Sequence, residues 1–312
     1  MTILAPAAAW AFACDVLVAL GMPDEDAAIT ADSMVWAGLH DRIGHSLIRL
    51  NDIARRIHGG ALAPAVDWTP VRHQGNATLL DAGRAWGVVA GARGMRHAIC
   101  SARRYGVGFA SVRNCDGTGA MGWYPSLAAG ERMIGLAITN NAPRLAAWGG
   151  TKEIMGNHAF ALAAPAGRQA PIVVDMSLGV TGPGGLQPIG GHRGSGLGLV
   201  GEVLTGVLSG GHMLTELHPP EAAGQPAGNS LFLLALDPAG LLPYAEFLDR
   251  AGRLADQVHA SPTAAGVERV RVPGEQRAEL ARRRAVAGIP YPEAHLATLR
   301  ALADRLGVRR PG

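Results

Sequence analysis

The stretch that decides between fold classes is residues 117–122, GTGAMG, which follows a predicted strand over 106–113 and opens a predicted helix over 120–129. Glycines at this spacing let backbone N–H groups approach a pyrophosphate at a helix N-terminus, as in the dinucleotide-binding fingerprint. That fingerprint also needs an acidic residue about 20 positions later for the ribose hydroxyls. Here the next predicted strand, 133–139, is followed by Asn140 and Asn141. The pattern indicates an α/β protein but disfavours an ordinary dinucleotide-binding fold.

On either side of this stretch, predicted strands and helices alternate through the centre of the chain. The predicted strands are 77–81, 106–113, 133–139, 160–164, 172–175 and 231–237, and the predicted central helices are 87–105, 120–129 and 197–208. A glycine-dense loop over 179–198 leads into the last helix. That helix carries small residues beside Leu and Val, so we expect it to be buried.

Both ends of the chain have a helical pattern. Apolar residues recur at three-to-four spacing over 7–20, 24–38 and 45–57, and again over 245–258, 276–287 and 292–306. The order predicts a helical domain made of residues 1–70 plus 244–312. It encloses a central α/β domain of residues 71–243 that would bind cofactor and substrate.

Composition excludes several classes of protein. The 312 residues carry a net charge of +3, Lys152 is the only lysine, and the arginine runs are short and scattered. A nucleic-acid surface needs a denser basic stripe with aromatic residues, so no nucleic acid is expected as a partner. The three cysteines show no CxxC spacing, which disfavours a disulfide framework or a metal site of that type. No apolar run approaches 18 residues, so we expect a cytoplasmic protein without a membrane partner.

Two sets of residues point to chemistry on a small anionic substrate. His45 and Arg49 stand four apart in a predicted helix, where both side chains would share one face. An arginine can hold a carboxylate bidentately while a histidine transfers a proton at the adjacent oxygen. By spacing alone, a helix-capping histidine beside a surface arginine is the favoured alternative. Asp175 ends a predicted strand, and the turn 190–196 (GGHRGSG) precedes a helix; each fits either a ligand site or a tight turn.

Six motifs in order support a resemblance to a known family. They are residues 44–50 (GHSLIRL) running to the glycine pair 59–60, residues 116–122 (DGTGAMG), the stretch from Pro143 to 149–150 with the turn 156–159 (GNHA), residues 175–177 (DMS), residues 190–197 (GGHRGSGL) and residues 273–275 (PGE). In this set and order they resemble the malate/L-lactate dehydrogenase-type NAD(P)H-dependent oxidoreductases. That family also contains ureidoglycolate and sulfolactate dehydrogenases and Δ1-piperideine-2-carboxylate reductases.

The resemblance implies a fold, an assembly and a set of site residues. The implied fold is α/β but not Rossmann: a mixed-sheet cofactor domain is inserted between N- and C-terminal helical segments that pack together, usually in a homodimer. His45 would be the proton donor, Arg49 the carboxylate clamp and Asp175 a support for the histidine or the cofactor. NADPH or NADH would lie against Gly117, Thr118, Gly119, Asn141, His158, Met176, Ser177, His192, Arg193 and Gly194, with no metal.

The chain departs from the family pattern at three motifs and in the length of one segment. The family's second histidine falls on Gly117, its KG lysine on Arg193, and the Asn and Pro of its GTNP turn on His158 and Ala159. The family also carries a much longer segment where this chain has only residues 178–193. Because that segment helps to wall the site, we expect a shortened member with its own substrate and cofactor preference.

The predicted function is NAD(P)H-dependent reduction of a small 2-oxo carboxylate, with a second copy of the chain as partner. A cyclic imine of the Δ1-piperideine/pyrroline-2-carboxylate type is one alternative, because a substrate that arrives protonated tolerates the loss of the second histidine. From a different class, a non-redox enzyme or binding protein of the same fold that has lost hydride transfer is the other alternative.

Overall fold

The computed structural model describes residues 1–182, 185–222 and 224–311. Its helices are α1 (Pro6–Ala19), α2 (Asp24–Leu39), α3 (Arg49–His58), α4 (Gly87–Tyr105), α5 (Trp123–Gly130), α6 (His192–Glu202), α7 (Tyr244–His259), α8 (Glu275–Ala287) and α9 (Glu293–Leu306). Its strands are β1 (Thr2–Leu4), β2 (Arg72–Gln74), β3 (Ala77–Asp81), β4 (Val107–Cys115), β5 (Ile134–Thr139), β6 (Leu145–Ala146), β7 (Glu153–Met155), β8 (Ala159–Ala164), β9 (Ile172–Ser177), β10 (Gly179–Gly182), β11 (Gly185–Pro188), β12 (Asn229–Leu236) and β13 (Ile289–Tyr291).

A mixed seven-stranded sheet forms the centre of the molecule, in the order β2-β3-β4-β12-β5-β8-β9. The pair β3–β4 is parallel, and the other neighbours in this sheet are antiparallel. Strand β12 enters between β4 and β5, although it follows them by about a hundred residues in the chain. Its near-continuous apolar sequence, NSLFLLAL, fits this position because a central strand is covered on both faces. The α/β class predicted from the sequence is confirmed.

Helices α4 and α5 lie close against this sheet because glycines remove the side chains between them. A Cβ placed on Gly94 of α4 would lie 2.6 Å from a methyl carbon of Leu233 in β12. A Cβ on Gly135 of β5 would lie 2.6 Å from the Cα of Pro125 in α5. At these positions any larger residue would push the layers apart.

The two ends of the chain meet beside the sheet. Strand β1 pairs antiparallel with β13, and α9 lies against α1 and α3. The buried hydroxyl of Ser46 donates to the carbonyl of Met34 and lies 2.6 Å from the hydroxyl of Tyr291. Helix α7 instead lies over the ends of β8 and β9, where a Cβ on Gly167 would come within 2.9 Å of the Leu248 carbonyl oxygen.

Two predicted boundaries differ markedly from the structure. The helix predicted over 45–57 begins only at Arg49, because residues Ile43–His45 form a 3₁₀ turn and Ser46 is extended, with φ −92° and ψ −152°. The loop predicted over 179–198 contains the hairpin β10–β11 and the first turns of α6, which starts at His192. None of the helices in the described ranges is long and apolar enough to cross a membrane.

The helix predicted to be buried over 197–208 is buried on one face only. It belongs to α6 and to a π-helical segment, Val203–Val207, that continues it. Gly198 and Gly201 face the protein, whereas Leu197, Leu199, Val200, Val203, Val207 and Leu208 are each 46% to 57% exposed. The prediction was wrong for this outward face, which is apolar but uncovered in the single chain.

Candidate active site

A cavity of about 190 Å³ opens at the edge of the sheet where β5 and β9 end and β8 begins. The turn before α3 and the glycine-rich loop after β4 close its other sides. Its lining residues are Arg42, His45, Thr118, Gly119, Ala120, Met121, Thr139, Asn141, Asn157, Ala159, Asp175, Met176 and Ser177. The structure therefore brings His45 and Asp175 together with five of the residues predicted to contact the cofactor.

His45 lies at the end of the 3₁₀ turn and is partly buried. Burial, together with the positive charges of Arg49 and Arg42, lowers the pKa of its imidazole from 6.5 to about 4. The carboxylate of Asp175 acts in the opposite direction. At neutral pH the imidazole of His45 is therefore neutral and can accept a proton.

Arg49 lies beside His45 without lining the cavity. Its Nε donates to the carbonyl of Gly44 at 2.6 Å, and its Nη1 donates to Asp52 Oδ2 at 2.8 Å. The expectation that His45 and Arg49 share one helical face is wrong, because α3 starts at Arg49 and His45 precedes it in a different conformation. The two groups are nevertheless close enough for the arginine to affect the pKa of the histidine.

Asp175 is held by an arginine that the sequence analysis did not single out. Arg42 Nη2 donates to the backbone oxygen of Asp175 at 2.6 Å and lies 3.0 Å from its Oδ2. Within the described chain, the buried Nε of Arg42 has no hydrogen-bond partner. Arg42 is thus the guanidinium that lines the cavity itself.

The glycine-rich loop takes its shape from packing beneath it. Gly117 and Gly119 have φ values of +67° and +63°, which favour glycine. A Cβ on Gly117 would lie 2.3 Å from the ring of Trp86, so this position has no room for the family's histidine. Thr118 and Gly119 reach the cavity, and the buried hydroxyl of Tyr124 donates to the Thr118 carbonyl.

Two asparagines form a further wall of the small cavity. Asn141 Nδ2 donates to Asn157 Oδ1 at 2.6 Å. Ser177, which follows Met176 at the end of β9, donates from its hydroxyl to the Asn157 carbonyl at 3.1 Å. Asn141, Met176 and Ser177 were expected from the sequence, whereas Asn157 was not.

The other expected cofactor residues lie elsewhere. His158 is 0% exposed, and its ring nitrogens face the Gly156 carbonyl and the Glu202 carboxylate, so it does not reach the cavity. His192, Arg193 and Gly194 begin α6. The His192 ring packs edge-on to Trp148 at a surface cavity of about 720 Å³. The structure does not bring these four residues to His45.

A second, larger cavity of about 680 Å³ adjoins the first and shares Arg42, Asp175 and Met176 with it. Its walls include Trp36, His40, Val173, Gly274 and Arg277. The volume falls within the roughly 300–1,000 Å³ of ordinary ligand pockets, whereas the small cavity admits only a compact group. Apolar walls with cationic side chains fit an elongated ligand that carries rings and phosphates, as NAD(P)H does.

Comparison with known proteins identifies the family. A sequence model described as malate/L-lactate dehydrogenase matches residues 4–185 and 179–300. The chain belongs to this family. It is therefore an NAD(P)-dependent oxidoreductase. The two matched ranges overlap at residues 179–185, inside the segment that we predicted to be shortened.

Individual members of the malate/L-lactate dehydrogenase family match over nearly the whole chain. Malate dehydrogenase of Pyrococcus abyssi is 29% identical, with 96% of this chain and 94% of that protein covered. L-sulfolactate dehydrogenase of Methanocaldococcus jannaschii is 28% identical, with 84% and 85% covered. The solved structure of malate dehydrogenase from Pyrococcus horikoshii OT3 has a TM-score of 0.93 at 29% identity, with 99% and 97% covered.

The site residues that sequence reasoning missed in this family member had weak local signals. Arg42 stands three residues before His45. The 3₁₀ turn that directs its side chain toward Asp175 has no periodic pattern in the sequence. Arg277 follows the PGE motif by two residues, and that spacing was the one available hint to the larger cavity. Asn157 lies within the GNHA turn, where the sequence analysis weighed His158 instead.

Proposed function

We propose that the protein interconverts a small 2-oxo carboxylate and the corresponding 2-hydroxy carboxylate, with NAD(P)H as the hydride donor and His45 as the proton-transfer group. The single observation that carries the proposal is the position of His45. Its imidazole faces a cavity of about 190 Å³ that joins a larger one of about 680 Å³. A compact substrate and an elongated cofactor can therefore reach the same histidine.

Charge around His45 supports an anionic substrate. Arg42 and Arg49 both lower the pKa of the imidazole, so both act on the place where the substrate would bind. We keep Arg49 as the carboxylate clamp, reached by exchanging its contact with Asp52 for one with the substrate. The guanidinium of Arg49 would then release the Asp52 carboxylate and bind the substrate carboxylate, which it can hold bidentately.

Cofactor binding is proposed for residues of both cavities. Thr118, Gly119, Met176 and Ser177 would hold the reacting end, while His40 and Arg277 would lie near phosphate groups. When bound, NAD(P)H supplies the hydride, and the protein supplies orientation and the proton. The mostly antiparallel sheet supports a binding mode unlike that of a parallel Rossmann domain.

His45 would act in both directions. In oxidation, the neutral imidazole accepts the proton of the substrate hydroxyl. In reduction, the protonated ring donates it to the developing alkoxide. Asp175 favours the protonated form, and a bound substrate carboxylate adds a second negative charge that does the same.

The test combines binding and turnover. NADH and NADPH are titrated by thermal shift, since a ligand that binds the folded state raises the melting temperature. Oxidation of the reduced cofactor is then followed with 2-oxo acids and with Δ1-piperideine-2-carboxylate. We expect turnover with a 2-oxo acid and a loss of ~10²–10⁴-fold in kcat for His45→Ala, the size of a general acid–base contribution. Turnover with the cyclic imine alone would favour the imine reductase, and no response to either cofactor would favour the non-redox alternative.

We also propose that two copies of the chain associate through the outward face of α6. Its exposed residues are apolar from Gly196 to Leu208, and the acidic residue in this stretch, Glu202, points inward and is buried. A helix that is apolar all round needs cover on both sides. A face without charge suits a two-fold contact, in which identical patches meet.

A further inference from the structure

A buried histidine–glutamate pair lies directly behind the small cavity and plays no part in the chemistry proposed above. His158 is 0% and Glu202 4% exposed, and His158 Nε2 lies 3.0 Å from Glu202 Oε1. His158 Nδ1 lies 2.8 Å from the carbonyl oxygen of Gly156. Both ring nitrogens therefore have a partner: Nδ1 can donate to the Gly156 carbonyl, and Nε2 shares a proton with the Glu202 carboxyl group. The pair is a buried histidine–glutamate hydrogen bond.

Glu202 also connects two further parts of the chain. Its Oε2 accepts from Asn140 Nδ2 at 3.1 Å, and its Oε1 also accepts from the backbone N–H of Leu214 at 3.4 Å. Each carboxylate oxygen thus faces a donor. A glutamine here would turn an N–H group toward one of these two donors, and would therefore lose one of the hydrogen bonds that the carboxylate accepts.

Two glycines of α6, the helix that carries Glu202, lie against the imidazole of His158. A Cβ on Gly201 would lie 3.2 Å from His158 Cδ2, and one on Gly198 would lie 3.6 Å from His158 Nδ1. His158 itself has a φ of +31°, an uncommon value for a residue with a side chain. The π-helical segment begins at Val203, immediately after Glu202. Strained backbone and π-helical turns both concentrate at functional sites.

The residues next to this pair form the asparagine wall of the cavity. Asn141 follows Asn140, Asn157 precedes His158, and the two wall side chains are joined by the 2.6 Å hydrogen bond. We propose that His158 and Glu202 are positioning residues that hold this wall against the substrate. The proposal rests on the proposed function only in its kinetic part, since the position of the wall can be measured without turnover.

The variants are Glu202→Gln and His158→Asn, with Arg93→Met as the matched control. Arg93 Nη2 lies 2.6 Å from the buried Asp26 Oδ1 and joins α4 to α2, and it does not line either cavity. Hydrogen exchange is measured over residues 139–142 and 155–159, and KM and kcat with the preferred 2-oxo acid. The dissociation constant of the reduced cofactor is measured by fluorescence.

We expect Glu202→Gln to raise exchange in both segments and to lower kcat/KM for the substrate by ~10–100-fold, because a misplaced wall disturbs substrate orientation. Cofactor affinity should change by less than about twofold, since the wall residues Asn141 and Asn157 do not line the larger cavity, where most of the cofactor would bind. The double variant should be no worse than the more damaged single variant, as for residues that act together. Arg93→Met should lower the melting temperature but leave exchange in these segments and KM unchanged.

Unchanged exchange in both segments of Glu202→Gln would overturn the proposal, whatever the enzyme's activity. Raised exchange with unchanged kcat/KM would also overturn it, because the pair would then stabilise the fold without positioning the wall. If the wild-type protein turns over no 2-oxo acid or imine, the proposed function fails, and the exchange experiment alone decides whether the pair holds the wall.

Discussion

At the scale of single residues, the lowered pKa of His45 affects both the stability of the fold at acid pH and the proton transfer. Burial and two guanidinium groups lower its pKa from the ordinary 6.5 to about 4. Between these two values the unfolded chain binds a proton that the folded chain does not, so His45 makes stability fall as the pH drops from about 6.5 toward about 4. Above pH 6.5 its contribution is constant.

The same pKa predicts opposite pH profiles for the two directions of the reaction. The value of kcat/KM reports the free enzyme, in which the protonated imidazole becomes tenfold rarer with each pH unit above about 4. For reduction, log kcat/KM should therefore fall with a slope near −1 between about pH 5 and 8, while oxidation should be level over that range. Steady-state rates in both directions test this. A level reduction profile would remove His45 as the proton donor.

At the scale of elements, the glycine-rich loop shows why a sequence motif can have a different cause from the one it resembles. The GTGAMG pattern matches a phosphate-binding fingerprint, but Gly117 is a glycine because the ring of Trp86 lies where its side chain would be. Asp116, just before it, pairs in a buried contact with Arg56 of α3. The loop is therefore held by the protein core, and Thr118 and Gly119 are the part that faces the cavity.

Gly117→Ala should destabilise the fold through both conformation and space. The left-handed backbone costs about 1–2 kcal/mol for a residue with a Cβ, and overpacking adds about 1–3 kcal/mol. Urea unfolding measures the loss. In Trp86→Leu the same substitution should cost less, since the ring it meets is gone. Gly130→Ala is the control: nothing lies within 4 Å of its Cβ position, so little change is expected. Equal losses for both glycines would contradict this account of the loop.

Elements with a clear period were predictable, and those fixed by distant contacts were not. Helix α4 and strand β3 have the predicted bounds, because apolar spacing and glycine ends mark them locally. The turn at Ile43–His45 depends on Ser46 reaching Met34 and Tyr291, which are far apart in the chain. Arg42 at Asp175 and Glu202 at His158 are likewise tertiary contacts without a local signal. The sequence motifs therefore brought His45, Asp175 and several lining residues into the prediction, whereas Arg42 and Glu202 had no local signal.

At the scale of the whole molecule, helix α6 exposes an apolar surface, although its sequence predicts a buried helix. The outward face of α6 and its π-helical continuation, defined by Leu197, Val200, Val203 and Val207, is 55% to 57% exposed at each of these four residues. The inward face of the same helix holds Glu202 and so reaches the wall of the cavity. Association through α6 would place the substrate site and the subunit contact on opposite sides of one helix.

Val200→Asp should convert a dimer into a monomer, because a buried carboxylate at the centre of an apolar contact would lack a partner. Sedimentation velocity at several protein concentrations measures the mass. Val286→Asp is the matched control, since Val286 is 93% exposed on α8, away from this face, and should leave the dimer intact. A wild-type protein that sediments as a monomer at micromolar concentration would contradict the proposed assembly. If Val200→Asp is monomeric and the His158–Glu202 pair transmits the placement of α6, hydrogen exchange over 155–159 should rise in this variant and stay unchanged in Val286→Asp.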